Sequence, residues 1–104
     1  MVQEFHESKD LATLPEPAVV NCTGLGAKSI FGDSELVPIK GQLTFLLPQP
    51  EVNYITLADH LYMFPRRDGI VLGGTYVRGD WSLEPDLAAK DLILTGHAKL
   101  FSGL

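Results

Sequence analysis

The sequence of 104 residues has one cysteine, so it excludes an internal disulfide and gives no sign of an oxidising compartment. No apolar run approaches the roughly 20 residues that cross a bilayer, and the N-terminus has no signal-peptide h-region. Basic residues are also few: 8 lysines and arginines against 13 acidic residues give a formal net charge of −5. This charge argues against a nucleic-acid-binding surface and gives no support for binding to anionic membranes. We therefore expect a cytoplasmic protein without nucleic-acid or membrane partners.

The remaining composition is that of an ordinary folded protein, with 45% hydrophobic and 20% charged residues, which excludes the disordered and low-complexity classes. The length suits a single small domain over residues 1–104. Short β-type segments in the middle of the chain are flanked by segments with helical patterns. We therefore predict an α+β fold, mostly an antiparallel β-sheet meander flanked by helices.

The predicted elements follow from apolar periodicity and from turn residues. They are a short strand at 2–5, a short helix with Ser8 as its N-cap, a strand covered on both faces at 18–22, a short helix at 26–31, strands at 36–47, 53–57, 61–65 and 70–77, and a helix at 86–101. The turn Arg66-Arg67-Asp68-Gly69 should join the last two strands into a hairpin. The final helix has the strongest pattern, because five small or apolar residues share one face at 3.6-residue spacing.

The turn Thr23-Gly24-Leu25-Gly26 is the first feature with a chemical interpretation. Glycine lets a backbone pass close to a ligand, and the start of a helix offers N–H groups to an anion. The same pattern is also a common packing device, and it lacks the third glycine and the downstream acid of a Rossmann fingerprint. Spacing alone leaves both interpretations open.

Other candidate residues are weaker. Cys22 falls on the predicted buried strand, where a cysteine behaves as a small apolar residue, and a Cys22–His60 pair in a cysteine-dependent hydrolase remains an alternative. His6, His60 and His97 lack the spacing of paired metal ligands, so we predict no metal site. Tyr62 begins an apolar strand, where its hydroxyl either orients a ligand carboxylate or belongs to a half-buried side chain.

Five motifs follow each other in a fixed order: V-V-N-C-T-G-L-G-A at 19–27, P-I-K-G-Q at 38–42, Y-M-F-P at 62–65, L-G-G-T at 72–75 and G-D-W-S at 79–82. Taken together, these motifs resemble the central part of the D-amino acid oxidase-like family of FAD-dependent oxidoreductases. The resemblance runs from about Ala18 to Leu104, which is most of the chain.

The resemblance implies a role for each part of the sequence. Residues 18–26 resemble a return strand and turn of the family's FAD domain, with Thr23, Gly24 and Leu25 as contacts to FAD. Residues 36–101 resemble the substrate domain, a curved sheet over the flavin ring. Tyr62 stands where the family has a tyrosine whose hydroxyl binds the substrate carboxylate, and no residue here is implied to be a catalytic acid or base.

The implied reaction oxidises a D-amino acid or related amine to an imino acid, with FAD accepting the hydride and dioxygen giving hydrogen peroxide. The family's Gly-x-Gly-x-x-Gly motif and its C-terminal substrate arginine have no counterpart here. We therefore expect a segment of a larger flavoenzyme that is inactive alone and does not retain FAD. The alternative is a free-standing ligand-binding or interaction module derived from such a domain. In either case exposed edges would favour a homo-oligomer.

Overall fold

Two compact units make up the chain, divided after Pro38, and the computed structural model describes residues 3–103. The first unit has short helical segments: two 3-10 helices, Ser8–Thr13 and Gly24–Gly26, and the helix α1, Ala27–Phe31. The second unit contains strands β1 (Ile39–Lys40), β2 (Thr44–Leu46), β3 (Thr56–Ala58), β4 (Leu61–Arg66), β5 (Gly69–Gly73) and β6 (Val77–Arg78), followed by the helix α2 (Leu87–Ser102). This arrangement confirms the predicted α+β class with antiparallel sheets.

The main sheet has four antiparallel strands in the order β2-β5-β4-β3, while β1 and β6 form a separate two-stranded ladder. Its centre is the β4–β5 hairpin, in which Tyr62 lies opposite Gly73 and Arg66 lies opposite Gly69. Gly69 has a φ of 150°, which a glycine adopts more readily than other residues. The predicted hairpin is confirmed, with a turn tighter than the four residues expected.

The helix α2 packs on one face of this sheet and forms the core with it. Alternate residues of a strand point to opposite faces, so Met63, Ile70 and Leu72 share the face towards α2. These three side chains and Ile93 of α2 are buried together, with Leu46, Val52, Leu94 and Phe101 packed around them. Residues such as Tyr62, one position along from Met63, must therefore point to the opposite face.

The side chain of Gln42 holds the start of α2. Its Nε2 donates to the backbone oxygen of Asp86 at 2.8 Å, and its Oε1 accepts from the backbone nitrogen of Asp86 at 2.7 Å. Asp86 is the N-cap of α2, and its carboxylate accepts from the backbone nitrogen of Ala88 at 2.8 Å. The backbone nitrogen of Gln42 in turn donates to Oγ1 of Thr75 at 2.9 Å. The first residues of α2 are thus joined to the connection between β1 and β2.

Lys40 adds a second link in the same region. Its Nζ donates to the backbone oxygen of Glu84 at 2.8 Å and lies 3.4 Å from Oδ2 of Asp80. A hydrogen bond from the backbone N–H of Ser82 lowers the pKa of Asp80 below its usual value. The Lys40 ammonium makes a smaller contribution in the same direction. Residues from the P-x-x-G-Q, L-G-G-T and G-D-W-S motifs therefore meet at the start of α2.

The segment 18–22 is not the doubly covered strand that its apolar run predicts. It has no strand structure, Val20 is 85% exposed, and the other residues of the segment, including Cys22, are also exposed. A strand requires a partner for its backbone groups, and no described strand pairs with this segment. The predictions of a buried strand and of a buried Cys22 are therefore wrong for this structure.

Other boundaries also differ from the sequence predictions. The predicted strand 36–47 consists of β1 and β2, which belong to different ladders, and 70–77 is likewise divided into β5 and β6. The first helix is a 3-10 helix whose N-cap is Glu7 rather than Ser8. The strand predicted at 2–5 is absent from residues 3–5, and its first residue lies outside the described part. No helix within residues 3–103 combines the length and apolarity needed to cross a membrane.

We expect Gln42→Ala to lower the free energy of unfolding by about 1 kcal/mol, because the backbone groups of Asp86 lose their partner. Urea unfolding followed by far-UV circular dichroism would measure the loss. Gln49→Ala is the matched control, since Gln49 is exposed and its side chain makes no hydrogen bond within residues 3–103. Equal destabilisation by the two substitutions would contradict the assigned role of Gln42.

Candidate functional site

Tyr62 lies near the start of β4, on the face of the sheet that points away from α2. Its ring covers Gly73 on the neighbouring strand so closely that any side chain at Gly73 would overlap it. The Tyr62 and Phe64 ring centroids are 5.5 Å apart, with the ring planes tilted by 50°. The hydroxyl of Tyr62 makes no hydrogen bond to any described residue, so this donor is available to a ligand.

The side chains around Tyr62 form an apolar surface, which we call the open face. It consists of Phe45 of β2, Leu57 of β3, Tyr62 and Phe64 of β4 and Val71 of β5, which the strand register places on one side of the sheet. Leu57 is 75% exposed and Phe45 55% exposed, whereas Val71 is buried between its neighbours. An apolar surface that contains one phenol can bind a planar aromatic group and orient a polar group beside it.

Arg66 lies at one end of the open face. Its guanidinium carbon is 5.9 Å from the centre of the Phe45 ring, and its Nε and Nη2 each donate to the Asp68 carboxylate at 2.8 Å. The hydrogen bonds from Arg66 hold the pKa of Asp68 below its usual value. Because Asp68 already accepts from this guanidinium at two atoms, Arg66 stabilises the hairpin turn rather than offering a free cation to a ligand.

The turn at Thr23, Gly24 and Leu25 is exposed and is ordered by Asn21. Oδ1 of Asn21 accepts from the backbone nitrogen of Thr23 at 3.1 Å and from its hydroxyl at 2.7 Å. Gly24 has a φ of 55°, and a side chain there would meet no atom within 4 Å, so conformation rather than crowding requires the glycine. The backbone around Gly24 and Leu25 is therefore open to a ligand, whereas the Thr23 hydroxyl already donates within the turn.

These two candidates belong to different units, the turn to the first and Tyr62 to the second. Each is therefore described as a candidate contact of its own unit. The helix after the turn, α1, has only five residues, which limits the dipole that it offers to an anion.

The two residues of the cysteine-dependent alternative belong to different units. Cys22 is an exposed free thiol in the first unit, whereas His60 lies in the second. Nδ1 of His60 is 3.1 Å from Oδ2 of Asp59, in the turn between β3 and β4. Within residues 3–103 no group of three or more His, Cys, Asp or Glu side chains is arranged to hold a metal ion.

His97 lies next to the backbone of Tyr62, a contact that the sequence did not predict. It is 3% exposed, with Nδ1 2.8 Å from the backbone oxygen of Ile93 and Nε2 3.2 Å from the backbone oxygen of Tyr62. Its position four residues after Ile93, on the buried face of α2, is the signal that identifies it as part of the packed face. A search for metal-ligand spacing alone overlooks such a residue.

Comparison with known proteins gives a consistent result. A family model described as FAD dependent oxidoreductase matches residues 2–104. A D-amino acid oxidase of Dugesia ryukyuensis is 37% identical over 90 residues, or 85% of this chain and 26% of that protein. A D-aspartate oxidase of Homo sapiens is 37% identical over 84 residues, or 80% of this chain and 23% of that protein. A D-amino-acid oxidase of Streptomyces coelicolor is 39% identical over 82 residues, or 74% of this chain and 26% of that protein. The chain spans about a quarter of the length of these curated relatives.

We expect Gly73→Ala to displace the Tyr62 ring, because the added methyl group would occupy the space of that ring. Such crowding in a packed sheet costs about 1–3 kcal/mol, and the ring-proton resonances of Tyr62 should shift in the NMR spectrum. Gly103→Ala is the control, since the nearest atom to its added methyl group would be 3.9 Å away. Unchanged Tyr62 resonances in Gly73→Ala would show that the ring does not depend on this glycine.

Proposed function

We propose a function for this chain from the premise that it belongs to the family of FAD-dependent oxidoreductases, which matches residues 2–104. In this proposal the second unit is part of the substrate-binding domain of an oxidase. The oxidase converts a D-amino acid or a related amine into an imino acid and forms hydrogen peroxide. The chain acts as a segment of a larger protein and is inactive alone. The position of Tyr62 on the open face is the observation that carries the proposal.

The substrate class in this proposal is a small amino acid or amine. The names of the relatives, D-amino acid oxidase and D-aspartate oxidase, support it. The cytoplasmic location expected from the sequence stays a prediction.

Tyr62 is proposed to bind the substrate carboxylate through its hydroxyl. A hydrogen bond to a charged group is stronger than one between neutral groups, and it strengthens further where apolar side chains exclude water. Phe64 and Leu57 provide such side chains on either side of Tyr62. Tyr62 therefore orients the substrate, and no side chain of this chain takes a proton from it.

The residues present fit FAD at two places. The open face is an apolar surface suited to a planar ring, and the turn has an open backbone at Gly24 and Leu25 beside the hydroxyl oxygen of Thr23. When bound, FAD supplies the acceptor for the substrate hydride and the reaction with dioxygen. The contribution of Thr23, Gly24 and Leu25 is binding, and that of the open face is binding and the exclusion of water.

The segment 18–22 also has a place in this proposal. Its apolar side chains are exposed and its backbone has no partner strand among the described residues. We propose that it pairs with strands of the dinucleotide-binding domain in the larger protein, next to the turn that contacts FAD. The same pairing would cover Val19 and Val20.

The first test asks whether the chain alone holds FAD. We expect the purified chain to be colourless after incubation with FAD and gel filtration, because it has no Gly-x-Gly-x-x-Gly motif for the pyrophosphate. Visible absorbance measures the result. A longer protein that joins this chain to a dinucleotide-binding domain is the positive control. A yellow 104-residue chain would contradict the proposed dependence on a larger protein.

The second test concerns Tyr62 in that longer enzyme. We expect Tyr62→Phe to raise the KM for a D-amino acid about tenfold or more, because the lost hydrogen bond to a carboxylate is worth about 1.5–3 kcal/mol. The visible spectrum of bound FAD should not change. Tyr76→Phe is the matched control, since Tyr76 is 67% exposed and outside the open face. A Tyr62→Phe enzyme with unaltered KM and kcat would refute the role of this hydroxyl.

The third test concerns assembly. We propose that the chain alone forms a homo-oligomer, because the open face is exposed and β2 and β3 are edge strands. Sedimentation velocity at rising concentration should show a dimer or a larger species. Leu57→Asp on the open face should shift the chain towards monomer, whereas Leu83→Asp, at a site 96% exposed outside that face, should not. A monomer at every concentration would contradict the proposal.

A further inference from the structure

His97 makes an unusual contact with the strand that carries Tyr62. Within residues 3–103, its Nε2 contact with the backbone oxygen of Tyr62, at 3.2 Å, is the only hydrogen bond from an α2 side chain to the backbone of the four-stranded sheet. A backbone oxygen accepts and cannot donate, so this hydrogen bond requires a proton on Nε2. The other ring nitrogen, Nδ1, lies 2.8 Å from the backbone oxygen of Ile93, and a neutral imidazole donates from one nitrogen only. The tautomer with its proton on Nε2 donates to the Tyr62 carbonyl.

The helix lies close to the strand at this point. A Cβ atom at Gly96 would stand 3.0 Å from Cδ1 of Leu61, so α2 packs tightly on the Leu61 side chain of β4 at this residue. This packing brings the His97 ring to the backbone oxygen of Tyr62, the residue after Leu61. Gly96 and His97 together fix α2 at the height of Tyr62 along β4.

The Tyr62 side chain is fixed from the opposite face of the sheet. Its ring is in contact with Gly73, the register partner of Tyr62 on β5, and adjoins Phe64. The backbone oxygen of Tyr62 has His97 as its partner on the α2 side. Tyr62 is thus held at its ring from one face and at its carbonyl from the other.

We infer that His97 is a positioning residue that sets the location of the Tyr62 hydroxyl by donating a hydrogen bond from Nε2 to the Tyr62 carbonyl. This inference rests on the proposed function, in which that hydroxyl binds the substrate carboxylate. His97 itself is buried on the α2 side of the sheet, so it touches neither substrate nor FAD. A displacement of about 1 Å in a group that positions a substrate can cost about 100-fold in activity.

The experiment compares two substitutions of similar size in the longer flavin-containing enzyme. His97→Gln retains an N–H donor at the end of its side chain, whereas His97→Met has none. We expect His97→Met to raise the KM for a D-amino acid about five- to tenfold and to leave bound FAD and kcat within about twofold. His97→Gln should restore the KM to within about twofold of the unsubstituted enzyme. A purely structural role would instead lower FAD content and kcat together in both variants.

The Tyr62→Phe background separates this inference from the proposed function. His97→Met should raise the KM no further in that background, because the hydroxyl that His97 positions is already gone. A separate, multiplicative increase would overturn the inference. An unchanged KM in Tyr62→Phe alone would instead refute the proposed role of Tyr62. A KM that rises in Tyr62→Phe but not in His97→Met would refute only the positioning role.

A measurement on the unsubstituted enzyme completes the test if His97→Met does not fold. The NMR signals of the His97 ring should show a proton on Nε2 that exchanges slowly with water and couples to the carbonyl carbon of Tyr62. A ring without a proton on Nε2 would overturn the inference without reference to any variant. The exposed His60 is the internal control, since its ring protons should exchange rapidly.

Discussion

The packing of α2 against one face of the four-stranded sheet is the constraint on which the second unit depends. Because strand residues alternate between faces, the burial of Met63 under α2 directs Tyr62 to the opposite face of the sheet. Phe64, two residues further along β4, lies on the same face as Tyr62. The open face is therefore a geometric consequence of the core rather than a separate feature. The same packing brings His97 to the Tyr62 backbone, so the core and the candidate site share residues of β4.

The family motifs in this part of the chain mostly serve that packing. Gln42 bonds both backbone groups of Asp86, Thr75 bonds the backbone of Gln42, and Lys40 reaches the segment before α2. These polar side chains tie the start of α2 to the β1–β2 connection. Several residues of the ordered motifs therefore have a structural role in the second unit.

Local patterns predicted the elements whose stability is largely local. The helix at 86–101 was predicted to within one residue at each end, because capping and apolar spacing specify it. The hairpin around Arg67 and Asp68 was predicted in the right place from its turn residues, although its second strand ends at Gly73. The prediction of a strand at 18–22 was wrong because an apolar run indicates that burial is favourable but does not show that a partner strand is present. The prediction of one continuous strand at 36–47 was wrong for a related reason, because the local sequence does not indicate that β1 pairs with β6 whereas β2 pairs with β5.

The sequence by itself determined the fold class, the family and the candidate residues Thr23, Gly24, Leu25 and Tyr62, because composition, periodicity and ordered motifs are written along the chain. Only the tertiary structure decided which of these side chains are available. It placed the Tyr62 hydroxyl on an exposed apolar face, engaged the Thr23 hydroxyl with Asn21, exposed Cys22 and buried His97 against the Tyr62 carbonyl. These outcomes depend on contacts between residues distant in sequence or on the absence of a partner strand, and neither is a property of a local pattern.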